Sequence, residues 1–197
     1  VDALHVPVRP TRNLLANGGF EQGLKGWRFS RGAPLEAVTN HPGVRFSELV
    51  ADAHAGRRAL KIDLRGEKGD LPAFMSAPLA LEPGKKYTVA AWIRSDRDRK
   101  GGVALVPAPE GNMVKQQWPE KNVNTCFQAD RAWKRHAVSF IASAQGTHIH
   151  LWPWGGPIWI DDVTVVEGDD APGAEGDPVE TNLTYDVEHI VIDCPFA

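Results

Sequence analysis

Residues 13–27 read NLLANGGFEQGLKGW. A short apolar pair, Leu14-Leu15, runs into Asn17-Gly18-Gly19, and two further turn points follow at Gly23 and Gly26. Glycine and asparagine tolerate positive φ, so the pattern is a strand entering two tight turns. Phe20 and Trp27 are the apolar anchors, and Glu21 is a carboxylate held between them. A carboxylate beside turn carbonyls is the donor set a hard cation such as calcium takes. Far along the chain a second acidic point, Asp161-Asp162, interrupts the apolar run 157–166. The expectation is that these two stretches meet, with a β-sandwich built between them.

Outward from there, period-2 alternation recurs. In 59–64, Leu60, Ile62 and Leu64 face one way and Lys61 and Asp63 the other. In 87–94, Tyr87, Val89, Ala91 and Ile93 oppose Thr88, Ala90, Trp92 and Arg94. In 147–152, Ile149 and Leu151 oppose His148, His150 and Trp152. Such alternation marks half-buried strands. Further strands are expected over 44–50, 74–81 (bent or at an edge because of Pro78), 103–106 and 133–142. In 157–166, Ile158 and Ile160 are out of phase by one with Val163 and Val165, so that strand requires a bulge at Asp161-Asp162. No apolar stripe of helical period runs beyond two turns. The fold class is therefore all-β, a two-sheet antiparallel β-sandwich. The expected layout is a lead-in over 1–12, the sandwich over 13–167, an acidic Gly/Pro linker over 168–180, and a strand-like tail over 181–197 that either docks or begins a neighbour. The polar stretch 107–131, with Trp118 at its middle, is long enough to be a functional loop.

Composition excludes several classes. Twenty-two basic residues against 25 acidic ones give a net charge of −3 with no basic stripe, which argues against a nucleic-acid partner. No apolar run approaches the ~20 residues of a membrane helix, so no membrane partner is expected. Val1 is compatible with a mature, processed start. The two cysteines, Cys126 and Cys194, fit no zinc spacing; they form one disulfide or stay as two thiols. Seven tryptophans against two tyrosines suit either a rich core or a stacking surface. Trp27 and Trp133 stand at turn-to-strand entries and are expected in the core.

In order, NLLANGGFEQGLKGW, GRRALKIDL, LEPGKKYTVAAWIRS, AWKRHAVSFIA and IWIDDVTV resemble carbohydrate-binding modules of the group containing families four, nine and twenty-two. The resemblance covers about 13–167. It implies a jelly roll of the galactose-binding-domain-like type and a non-catalytic module joined to a glycoside hydrolase or another polysaccharide-active enzyme. It also implies a structural calcium on the rim, away from the sugar cleft, held by Glu21, Asp161 and a backbone carbonyl near Lys61. The setting it implies is secreted, extracellular or periplasmic.

Sugars are held by flat aromatic faces and planar polar groups, and a sheet offers these only on its outer face. The candidate ligand-binding residues are Trp92 and Arg94 on one strand, and His148, His150 and Trp152 with Trp154 beyond them on another. Gln116 and Trp118 would close the cleft from the long loop. Neutral histidine both donates and accepts, which suits a polysaccharide or oligosaccharide partner. An i, i+2 histidine pair also suits a metal, but no third ligand is evident. Two other functions compete. One is a structural or protein-interaction domain of a secreted multidomain protein. The other is a jelly-roll polysaccharide lyase, which Arg94, Gln116, His148, His150 and Tyr87 satisfy poorly because Tyr87 alternates toward the core.

Overall fold

A computed structural model describes residues 12–29, 47–63, 74–96, 101–109, 126–143, 145–169, 182–185 and 190–193. The lead-in up to residue 11, the loop residues 110–125 and the linker residues 170–181 lie outside them. The strands follow in chain order. They begin with β1 (Trp27–Phe29), β2 (Ser47–Val50), β3 (Ala59–Ile62) and β4 (Phe74–Ser76). Next come β5 (Lys86–Ser95), β6 (Gly101–Pro109), β7 (Cys126–Gln128) and β8 (Lys134–Ile141). The last are β9 (Thr147–Gly155), β10 (Ile158–Glu167), β11 (Asn182–Tyr185) and β12 (Ile190–Asp193).

Two five-stranded antiparallel sheets form the sandwich, one ordered β1-β4-β9-β6-β7 and the other β2-β3-β10-β5-β8. Among the described residues, strands β11 and β12 pair with each other and with no other strand. The core between the sheets comes from alternate residues, as period-2 burial requires. Leu60, Ile62, Val89, Ile93, Phe140, Ile158 and Ile160 come from one sheet, and Phe74, Leu105, Phe127, Ile149 and Leu151 from the other. Tyr87 lies in this core, and its hydroxyl accepts the Glu82 amide at 3.0 Å.

The phase slip in β10 is present as a bulge. Its register against β5 shifts between Asp161 and Thr164, and Asp162 takes φ +46°. Val163 and Val165 return to the core beyond the bulge, so the extra residue is what keeps both apolar pairs inside. The 13–27 stretch docks on this part of β10. The Leu14 amide donates to Val165 O at 2.8 Å, and the Val163 amide donates to Gly18 O at 3.0 Å. Asn13 Oδ1 accepts the Val165 amide at 2.9 Å. Asn17, at φ +54°, ties the two turns together: its amide group donates to Gly23 O and Lys25 O, and its Oδ1 accepts the Gln22 amide. Phe20 stacks on Trp27 with ring centroids 5.3 Å apart, and both are buried.

Some elements differ from expectation. β6 reaches Pro109 rather than ending at Val106, because among the described residues β7 pairs only with 102–104 and leaves one side of the strand without a partner strand at Pro107 and Pro109. The short strands β1 and β7 carry too few residues for a periodic signal. Trp133 is not a core residue: it is partly exposed and lies against Arg94 and the edge of His54.

Candidate functional site

The acidic corner assembles as the two stretches meet. Glu21 Oε1 accepts the Arg57 amide at 2.6 Å and the Arg58 amide at 2.9 Å. Asp161 Oδ2 accepts the His54 amide at 2.9 Å and the Ala55 amide at 3.2 Å, while Oδ1 accepts the Asp162 amide at 2.7 Å. Both carboxylates therefore grip one turn, 54–58, from its two ends. His54 adds a side-chain bond, its Nδ1 donating to Asp162 Oδ2 at 2.8 Å. The Arg57 amide, with help from Arg58, lowers the Glu21 pKa. Burial raises the pKa of Asp161 against the pull of its amide donors.

These residues as arranged do not fit calcium. The lone pairs of Glu21 Oε1 and Asp161 Oδ2 are taken by N–H donors, which oppose a cation, and the Arg57 guanidinium stands 3.6 Å from Glu21 Oε2. Lys61 is paired with Glu48 on one side and Trp159 on the other, so its backbone belongs to the sheet. Among the described residues no group of three or more His, Cys, Asp or Glu is placed to hold a metal.

The expected ligand-binding residues fall on two opposite outer faces. Trp92 and Arg94 belong to β5 and look out from the β2–β8 sheet. There Trp92 stacks on His54 with centroids 3.8 Å apart. The Arg94 guanidinium lies 4.1 Å from the Trp159 ring and pairs with Asp52. Lys61 covers Trp159 as well. The aromatic faces on this side are thus occupied by the protein's own imidazole and cations.

His148, His150, Trp152 and Trp154 belong to β9 and look out from the other sheet, opposite Ile149 and Leu151 in the core. Of the four, Trp152 keeps part of its surface in solvent, while His148, His150 and Trp154 are buried, so the row is less open than the sequence suggested. Register places the neighbours. Trp154 lies across Gly102 from Gln128, Trp152 across Ala104 from Cys126, and His150 beside Val106, with Met75 and then Arg28 beyond. The row of β6 is built of small side chains, and at Gly102 this is obligatory. A Cβ there would collide with the Trp154 ring and with the Phe127 carbonyl.

The polar groups on this face are unevenly matched. His148 Nδ1 donates to Ser76 O at 2.7 Å, which leaves Nε2 to accept from Arg28 Nη2 at 3.3 Å. His150 has no partner at either ring nitrogen, and neither do Trp152 Nε1, Trp154 Nε1 and Gln128 Nε2. Burial, with His148 and Arg28 nearby, pushes the His150 pKa down to about 3, so the ring is neutral. Arg28 and Gln128 were not foreseen. The signal for Arg28 was available, since Trp27 turns inward and its neighbour must then face out. Gln128 stands in a strand too short to read. Gln116 and Trp118 lie outside the described residues. Cys126, on the same face, is disulfide-bonded, and Cys194 also lies outside them.

The sequence profile of the family described as carbohydrate binding domain matches residues 12–151. No curated protein matches the chain. The fold is similar to the CBM22-1 xylan-binding domain of Paenibacillus barcinonensis Xyn10C, with a TM-score of 0.53 and 12% identity over 82% of this chain and 97% of that one. It is similar to a putative sugar binding protein of Bacteroides thetaiotaomicron, with a TM-score of 0.55 and 12% identity over 80% of this chain and 100% of that one. It is also similar to part of the enzymatically active domain of tailspike protein 4 of bacteriophage CBA120, with a TM-score of 0.50 and 11% identity over 79% of this chain and 21% of that one. At these identities the likeness is one of fold, and one fold serves several functions.

Proposed function

The chain belongs to the carbohydrate binding domain family, and from that premise we propose that it holds a polysaccharide on the outer face of the sheet containing β9 and β6. The observation that carries the reading is the indole of Trp152, the one residue of the β9 row that keeps part of its surface in solvent, with Arg28 and Gln128 on the same face also partly exposed. Trp152 supplies a flat ring for the C–H face of a sugar. Arg28, Gln128 and Trp152 each keep solvent contact, so a ligand would first meet this face through them.

The action proposed is to bind rather than cleave, bringing an attached or partner polysaccharide-active enzyme to its glycan. A polymer ligand implies work outside the cytoplasm, secreted or periplasmic. The disulfide-bonded state of Cys126 suits an oxidising compartment. The test is retardation on native gels containing xylan, β-glucan and acidic polysaccharides. Trp152→Ala is expected to weaken retention by about 2 kcal/mol, some thirtyfold, with its melting midpoint close to wild type. A variant that binds as well as wild type would remove Trp152 from the site. A variant that unfolds would mark it as a packing residue.

A further inference from the structure

Cys126 is disulfide-bonded, and the sequence holds one other cysteine, Cys194. Within a single chain the bond can join no other pair. Position 194 directly follows β12, which ends at Asp193. A disulfide brings its two Cα atoms within about 7 Å, and one residue of chain adds ~3.8 Å. Such a bond holds the end of β12 within ~11 Å of Cys126. Cys126 lies on the outer side of β7, because its neighbour Phe127 belongs to the core, and it stands across Ala104 from Trp152.

The same spot is buried although it faces away from the sandwich. Ala104, Val106, Cys126 and Trp154 form a small apolar cluster of their own, each no more than 4% exposed. The common core of the two sheets lies on the other side of β6, β7 and β9. An outer face with nothing over it stays wet, so this cluster has a cover that the opposite sheet cannot supply. The C-terminal hairpin has the complementary need. In register, Leu183 faces Ile192 and Tyr185 faces Ile190, which places four apolar residues on one side of it. Asn182, Thr184, Val191 and Asp193 take the other side. The two-residue period of a strand, carried one step past Ile192, brings position 194 to the apolar side. A lone two-stranded hairpin is marginal in water until such a side is packed.

We infer that the hairpin β11–β12 docks by its apolar side on the outer cluster around Cys126 and is fastened there by a Cys126–Cys194 disulfide. The folded unit then extends past the residues 12–151 that match the family, and the hairpin borders the β9–β6 face at its β7 edge, beside Trp152.

The test is made on the whole chain. A peptide map without reductant is expected to yield one cross-linked pair, carrying Cys126 and Cys194, from monomeric protein. Free thiols at both positions, or a disulfide-linked dimer, overturns the inference. Hydrogen exchange then reads the docking. In the oxidised chain the amides of 190–193 should be protected, and Cys194→Ser should speed exchange at 190–193 and at 126–128 at least tenfold while β5 keeps its protection. Should Cys194→Ser unfold as a whole, Ile192→Glu with the disulfide intact is expected to give the same local loss. Rapid exchange at 190–193 in the oxidised chain would mean a tether without docking and overturns the inference. So does exchange at 126–128 that neither variant changes, since another segment would then be the cover.

Discussion

Asp161 is fully buried, yet its carboxylate accepts three backbone amides and supports two segments distant in sequence. Asp161→Ala would leave the His54 and Ala55 donors without their acceptor, and a loss of about 2–3 kcal/mol is expected in denaturant unfolding. Gly18 is constrained by space rather than by φ, because an added Cβ would fall inside the Val163 carbonyl, which is backbone and has no rotamer to turn away. Gly18→Ala should therefore be at least as damaging, about 3 kcal/mol or more. His136 is a buried imidazole against Phe127, with neither nitrogen partnered. Burial, with some repulsion from Lys134, pushes its pKa down to about 4, while Asp130 pulls weakly the other way. His150 is pushed lower still, to about 3. Both stay neutral in the fold while the unfolded chain takes up protons below the ordinary imidazole value of 6.5. Stability should thus be flat above that pH and fall as pH drops toward 4, by up to about 1.4 kcal/mol per pH unit for each histidine. Melting curves between pH 7 and 4 would measure it, and His136→Phe should remove part of the slope. At this scale the inward or outward sense of Tyr87 was legible from alternation. The partnering of His136 was not, because the absence of a hydrogen bond is a property of three-dimensional neighbours.

Among the elements, β10 shows how much a pattern can carry. The out-of-phase pairs Ile158/Ile160 and Val163/Val165 require one extra residue, and the register shift with positive φ at Asp162 supplies it. The 54–58 turn was visible only as a loop. Its importance comes from its amides, which no side-chain pattern encodes. Glu21→Gln is expected to speed hydrogen exchange at the Arg57 and Arg58 amides several-fold while the amides of β5 keep their protection, since the turn opens locally rather than with the core. Because the carboxylates of this corner are filled by N–H groups, a chelator should leave the melting midpoint unchanged, and added calcium should not raise it. A rise on adding calcium would mean that the turn rearranges around a cation. The missed strands, β1 and β7, have three residues each, which is below the length at which alternation can be told from chance.

For the whole molecule, the decisive fact is that the two aromatic rows expected to bind ligand are back to back. Trp92 and Arg94 face out from one sheet, His150 and Trp152 from the other. Trp92→Ala should accordingly lower stability, through loss of the His54 stack, and leave retention of a polysaccharide unaltered, whereas Trp152→Ala should do the reverse. Paired melts and affinity gels on the two variants would assign each face. Read alone, the sequence determined the all-β class, the inward face of each long strand and the bulge. All of these follow from local periodicity, turn residues and the need to bury apolar side chains on one side. Only the tertiary structure decided which strands share a sheet, and so which outward residues are neighbours. It also decided that the acidic corner holds amides rather than oxygens. The reason is physical: strand order and hydrogen-bond completion depend on contacts between residues far apart in the chain, and alternation specifies a side of the strand without naming what lies on it.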